Sequence, residues 1–250
     1  MTPTLEYFEG RRDAIIDQIR EIVEIESPSH DAERSREVVD WIESAARATG
    51  LELAIERYPT EADGDHLIIR AFPGDAKPVL LLGHTDTVHP VGTKAKNPTR
   101  IEGDRLYGPG AEDMKGGTHI AMAAVRQIAR EGRRTHLPVR HLMVSDEEMG
   151  SPTSRAHIER EARRARYVLV TEPARSGGKI VTARKGVAFF TITAHGRAAH
   201  PGVEHHLGRS AIREIAHQIL TLEAMTDYAR ELTVNVGLVR GGSRPNVVPD

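Results

Sequence analysis

Four stretches of the chain put histidine or acidic residues directly behind apolar runs or a glycine-rich turn. Val79-Leu80-Leu81-Leu82-Gly83 leads into His84, Asp86 and His89, and Met143-Val144-Ser145 leads into Asp146, Glu147 and Glu148. Val168-Leu169-Val170-Thr171 leads into Glu172, while Gly108-Pro109-Gly110-Ala111 presents Glu112 and Asp113 just before a helical stretch. An imidazole with a nearby carboxylate suits a metal ligand whose second ring nitrogen is held by an acid. Adjacent carboxylates repel one another unless a cation or proton compensates them, so one of the Glu147-Glu148 pair can ligate while its neighbour works as a base. Each stretch alone has an ordinary reading: a loop histidine, a helix-capping aspartate, a solvated acidic loop. Together, in a chain with no cysteine, they converge on a metal site built from nitrogen and oxygen.

The rest of the composition removes alternatives. A formal net charge of -2 supplies no field that would gather nucleic acid or an anionic membrane surface. The Met1 to Arg12 stretch has no basic segment followed by an apolar run, and no later stretch reaches membrane-spanning length. A cytoplasmic protein is therefore expected, without nucleic-acid or membrane partners. With 250 residues, 39% of them apolar, the chain can form one large domain or two smaller ones.

The candidate ligands need a scaffold, and periodicity suggests one. Ile15, Ile16, Ile19, Ile22 and Val23 recur at helical spacing, ended by Ser27-Pro28-Ser29. A second helix carries Val38, Val39, Trp41, Ile42, Ala45 and Ala46 and stops at Gly50. Leu51, Leu53 and Ile55 alternate as in a strand. Apolar runs at 66–72, 78–82, 138–144 and 167–170 interleave with a helical stretch at 116–130, the pattern of an α/β fold whose central sheet is mainly parallel and flanked by helices. Each candidate ligand then falls at a strand end, where open α/β sheets bind their ligands. Beyond a boundary near Thr182 the pattern changes to a strand near 187–194, a helix near 210–226 and a strand near 232–239.

The runs GHTDTVHP, LYGPGAEDMKGG, SDEEMGS, TEPARSGGKIVTARKG, GRAAHPG and NVVP also resemble, in order, the motifs of a known family. It comprises the co-catalytic zinc peptidases and amidohydrolases of the carboxypeptidase G, acetylornithine deacetylase, succinyl-diaminopimelate desuccinylase and aminoacylase type. The resemblance implies a catalytic domain over 1–181 and a smaller α+β, ferredoxin-like lid or dimerisation domain over 182–250. It implies two zinc ions, with cobalt as a possible substitute. By this resemblance His84 is the imidazole ligand of one ion with Asp86 as the acid that orients it, and Asp113 is the carboxylate shared by both ions. Glu172 completes the His84 ion, Glu148 ligates the other, and Glu147 is the general base. His200 matches a histidine that reaches the active site of a partner subunit and steadies the oxyanion, which implies a homodimer formed through the second domain. Asn246 matches a position near the substrate.

Two features of the family have no counterpart in these residues: a late histidine for the second ion, and a lid arginine that grips the substrate carboxylate. Both are expected to lie beyond Asp250. His206 stands where relatives carry glutamate. The function expected from the resemblance is metal-assisted hydrolysis of a small N-acyl amino acid or peptide, releasing an amino acid, with glutamate favoured by residues 179–186 and 208–212. An acetylornithine- or succinyl-diaminopimelate-type deacylase is the alternative within the family. An inactive fragment or binding remnant is the alternative outside it.

Overall fold

The computed structural model describes residues 3–132 and 135–250, which separate into two units, Met1–Val181 and Thr182–Asp250. In the first, α1 (Pro3–Glu9) precedes two amphipathic helices, α2 (Arg12–Val23) and α3 (Ala32–Arg47). Their apolar stripes bury Ile22 and Val23 on α2, and Val38, Val39, Ile42 and Ala46 on α3. Asp31 caps α3 by accepting from the Arg34 N–H at 3.1 Å. The chain continues through β1 (Ala54–Pro59), β2 (Asp65–Ala71), β3 (Val79–His84), a short α4 (Thr93–Lys96), β4 (Arg100–Glu102) and β5 (Arg105–Tyr107). It then forms α5 (Gly117–Arg130), β6 (Val139–Val144), α6 (Arg155–Arg164) and β7 (Tyr167–Val170).

Five strands make one sheet in the order β1-β2-β6-β3-β7, while β4 and β5 form a separate hairpin. The sheet is mixed. β1-β2 and β2-β6 pair antiparallel, whereas β6-β3 and β3-β7, the half that carries the candidate ligands, pair parallel. The two-residue strand period sends Leu67, Ile69 and Met143 against α2 and α3, and Ile68, Leu80, Leu142 and Val144 to the opposite face with Ile158 and Ala162 of α6.

Register explains the site. His84 pairs with Val144 and Leu82 with Val170, so β3, β6 and β7 end along a single edge of the sheet. Asp86, the acidic turn at 146–148, and Glu172 all lie just past that edge, as the rule for parallel α/β sheets requires. Although expected to be buried, β7 has Val168, Leu169 and Val170 at 41–54% exposure, because it stands at the edge of the sheet and, among the described residues, only β3 flanks it.

The second unit contains α7 (Ala211–Glu223), whose N-terminus is capped by Ser210 Oγ accepting from the Arg213 N–H at 3.1 Å. The strands expected near 187–194 and 232–239 do not form among the described residues. A strand exists only through its ladder, and these segments have no ladder partner; Phe189, Phe190 and Leu238 are correspondingly 93%, 87% and 85% exposed. Only isolated bridges occur, Arg197 with Arg209 and Asp227 with Leu232. Among the described residues no helix is long and apolar enough to cross a membrane.

Candidate metal centre

His84 ends β3 and is 1% exposed. Its Nε2 lies 2.9 Å from Asp113 Oδ1, 3.4 Å from Glu172 Oε1 and 4.0 Å from Glu147 Oε2. Ligand atoms of His84, Asp113 and Glu172 all fall within 4.8 Å of one another, and these three form the potential metal-holding group among the described residues. For a tetrahedral ion with bonds of about 2.0–2.1 Å, neighbouring ligand atoms stand about 3.4 Å apart. The His84–Glu172 separation matches that spacing, and the His84–Asp113 pair is closer, at hydrogen-bond distance. The donor set, one imidazole and two carboxylates, suits zinc or a similar divalent ion.

The local backbone accounts for this convergence. Asp113 sits in the irregular turn Ala111–Gly116, which leads straight into α5. Gly117 opens that helix with its Cα so close to Thr171 that a Cβ would stand 1.8 Å from the Thr171 carbonyl oxygen. Only glycine permits the contact, and it brings the Asp113 turn beside the β7 end that carries Glu172.

Asp86, 1% exposed, does more than orient His84. The His84 Nδ1 is 2.9 Å from the Asp86 backbone carbonyl and 3.4 Å from its carboxylate. That carboxylate also accepts the backbone N–H groups of Glu147 and Glu148, each at 3.2 Å, and the Ser29 hydroxyl at 2.8 Å. One buried acid thus ties the imidazole to the turn that presents both glutamates. From sequence Ser29 reads only as part of a helix end, and no local pattern ties it to the site, since its partner lies 57 residues away.

Charge is concentrated here. Burial disfavours a protonated His84, but Asp86 and Glu172 outweigh it and raise its pKa to about 11. Burial raises the pKa of Glu147, with the positive His84 opposing and the neighbouring carboxylates adding to the rise. Glu148 is raised for the same reasons, burial first. Glu148 does not join the His84, Asp113, Glu172 group. His200 and Asn246 lie in the second unit and are exposed, with the His200 Nδ1 accepting the Gly202 N–H at 3.2 Å. His206, also exposed, lies in a short turn at His205–Leu207.

Comparison with known proteins agrees with this geometry. The chain is 31% identical to carboxypeptidase G2 of Pseudomonas sp. strain RS-16 over 237 residues, covering 94% of this chain and 57% of that protein. It is 28% identical over 229 residues to an acetylornithine deacetylase of Myxococcus xanthus, covering 85% of this chain and 58% of the relative. The chain therefore spans less than two thirds of the length of these relatives. In fold it is similar to a tripeptidase from Staphylococcus aureus, with a TM-score of 0.68 at 18% identity, covering 94% of this chain and 63% of the other. It is likewise similar to an M20 family metallo-carboxypeptidase from Sulfolobus solfataricus, with a TM-score of 0.64 at 18% identity, covering 84% and 50%. Residues 80–236, more than half of the chain and all of the candidate metal ligands, match the model of peptidase family M20/M25/M40, and the chain belongs to that family.

Proposed function

We propose that this chain carries the active centre of a metal-dependent amidohydrolase that releases an amino acid, glutamate first among candidates, from an N-acyl or peptide conjugate. The observation that carries this reading is the buried His84 with Asp113 and Glu172 converging on its Nε2. In this role His84, Asp113 and Glu172 would hold one zinc ion, and Asp113 with Glu148 would serve a second. Bound there, zinc would polarise the scissile carbonyl and acidify the attacking water. Cobalt would substitute.

Glu147 is the general base. Its carboxylate stands 4.0 Å from the His84 Nε2, close to the centre without belonging to the ligand group, and burial raises its proton affinity. It takes the proton of the attacking water on a carboxylate oxygen and passes it to the departing amide nitrogen. Asp86 holds both His84 and the Glu147–Glu148 turn in position. His200, from a partner subunit in a cytoplasmic homodimer formed through 182–250, would steady the oxyanion, and Asn246 would contact the substrate.

The similarity to carboxypeptidase G2 supports the glutamate reading. The similarity to an acetylornithine deacetylase favours a second one, removal of an acyl group from a basic amino acid. Assay of the zinc-loaded, full-length gene product with a glutamate-terminated amide beside N-acetylornithine separates the two. Preference for the glutamate conjugate is expected; preference for acetylornithine would shift the assignment to the deacylase, and hydrolysis of neither would sink both.

A further inference from the structure

Behind the acidic turn lies a chain of hydrogen bonds that starts on β2, buried at His66 and Asp146 and reaching the surface at Thr153. His66 is fully buried, and its Nδ1 accepts the Ser145 backbone N–H at 3.2 Å, with the Ser145 hydroxyl, 3.1 Å from the same nitrogen, then donating to it as well. That nitrogen therefore carries a lone pair, and a neutral ring bears its proton on Nε2. Burial keeps the ring neutral by lowering its pKa. The Nε2 stands 3.1 Å from Thr153 Oγ1, whose own hydroxyl hydrogen is donated to Asp146 Oδ2 at 2.7 Å. The hydroxyl must then accept from Nε2–H, so each donor and acceptor from Ser145 to Asp146 has a fixed sense.

Asp146 is the residue on which the turn closes. Its Oδ2 also accepts the N–H groups of Thr153 at 2.7 Å and Ser154 at 3.0 Å. Its backbone carbonyl accepts from Met149 N–H at 3.3 Å and Ser151 N–H at 2.9 Å. Glu147 and Glu148 follow directly in sequence, and their own N–H groups are held from the other side by Asp86.

We propose that His66 is a positioning residue for Glu147 and Glu148, acting through Thr153 and Asp146 to fix the turn that presents both carboxylates. Its significance for turnover rests on the hydrolase reading; its effect on the turn does not. His66 reaches across from the antiparallel half of the sheet, so β2 contributes to the active centre without touching substrate or metal.

The donor on Nε2 gives the idea a sharp test. His66→Gln places an amide nitrogen where Nε2 stands, whereas His66→Asn keeps an acceptor near Ser145 but offers nothing to Thr153. Amide hydrogen exchange is followed by NMR on the chain itself, with neither metal nor substrate, so the outcome is independent of whether the hydrolase reading holds. His66→Asn should accelerate exchange of the Glu147 and Glu148 amides about fivefold or more, as expected for losing one hydrogen bond. Thr153→Val should do the same, and His66→Gln should restore rates close to those of the parent, even where all three variants melt at lower temperature. Unchanged exchange at Glu147 and Glu148 in His66→Asn, or equal acceleration in His66→Gln, would overturn the proposal. The ¹⁵N spectrum of the parent protein provides a check that needs no variant: His66 should be protonated on Nε2 alone, and a proton on Nδ1 would refute the relay.

Discussion

His84 and His141 occupy neighbouring strands of one sheet, are 1% and 3% exposed, and have opposite acid–base characters. His84 ends β3 among carboxylates and is raised to about 11. His141, within β6, faces a small cavity of about 50 Å³ shared with His119 and lined by Leu51, Leu53, Ile69 and Val139. Burial lowers both of these imidazoles to about 4. Among the described residues, neither ring nitrogen of His119 has a hydrogen-bond partner, nor does Nε2 of His141. Burial penalises the charged form in all three residues, so it cannot be what separates them. The acids decide: Asp86 and Glu172 beside the His84 imidazole favour positive charge there, which a bound metal ion would supply.

The largest effect sharpening this contrast is expected within the acidic turn. Glu147→Gln in the full-length protein should leave metal content intact and lower turnover by about 10²–10⁴-fold, the usual worth of a general base. Glu148→Gln should instead lose metal. Indistinguishable metal contents in the two variants would erase the assignment of roles.

Next in size is the acid response of the cavity histidines. With folded-state values near 4 against an ordinary 6.5, the unfolded chain binds more protons between those pH values, so stability is complete above about 6.5 and falls as pH drops toward 4. The loss approaches about 3 kcal/mol for each imidazole. A His119→Phe/His141→Leu variant should show a flatter stability profile from pH 6.5 to 4 than the parent, read by urea titration at each pH. Parallel profiles would show that these rings are not the titrating groups.

Ser29→Ala should have the smallest effect. It removes one donor to Asp86 and should weaken zinc binding about tenfold, in the range typical for losing a group that orients a ligand. A loss as severe as that from Asp113→Asn would mean that Ser29 holds the loop fold rather than the acid.

Much of this centre was legible in sequence because its residues follow apolar runs that end at one sheet edge. His84 closes β3 and Glu172 comes two residues after β7, and the register of β3 with β7 does the rest. Asp86 was legible only in part: its hold on the Glu147 and Glu148 amides spans 61 and 62 residues, beyond any local pattern. The β4-β5 hairpin went unread although Gly103, with φ near +62°, and Asp104 form its two-residue turn, because three-residue strands leave almost no periodicity. Helix α6 was missed for a related reason. Its sequence, Arg155 to Arg164, is so charged that Ile158 and Ala162 give only a faint apolar stripe. In the second unit the opposite error occurred: apolar alternation near 187–194 suggested a strand, but alternation does not supply the ladder partner a strand needs.

The central claim is that His84, Asp113 and Glu172 form a metal centre, and zinc titration of the chain by calorimetry at pH 7, in buffers of different ionisation enthalpy, tests it most directly. One tight zinc per chain is expected, because Glu148 stands outside the group, with release of about one proton as the metal replaces the one His84 carries. Asp113→Asn should abolish the tight phase. No tight binding, or tight binding undiminished by Asp113→Asn, would contradict the account.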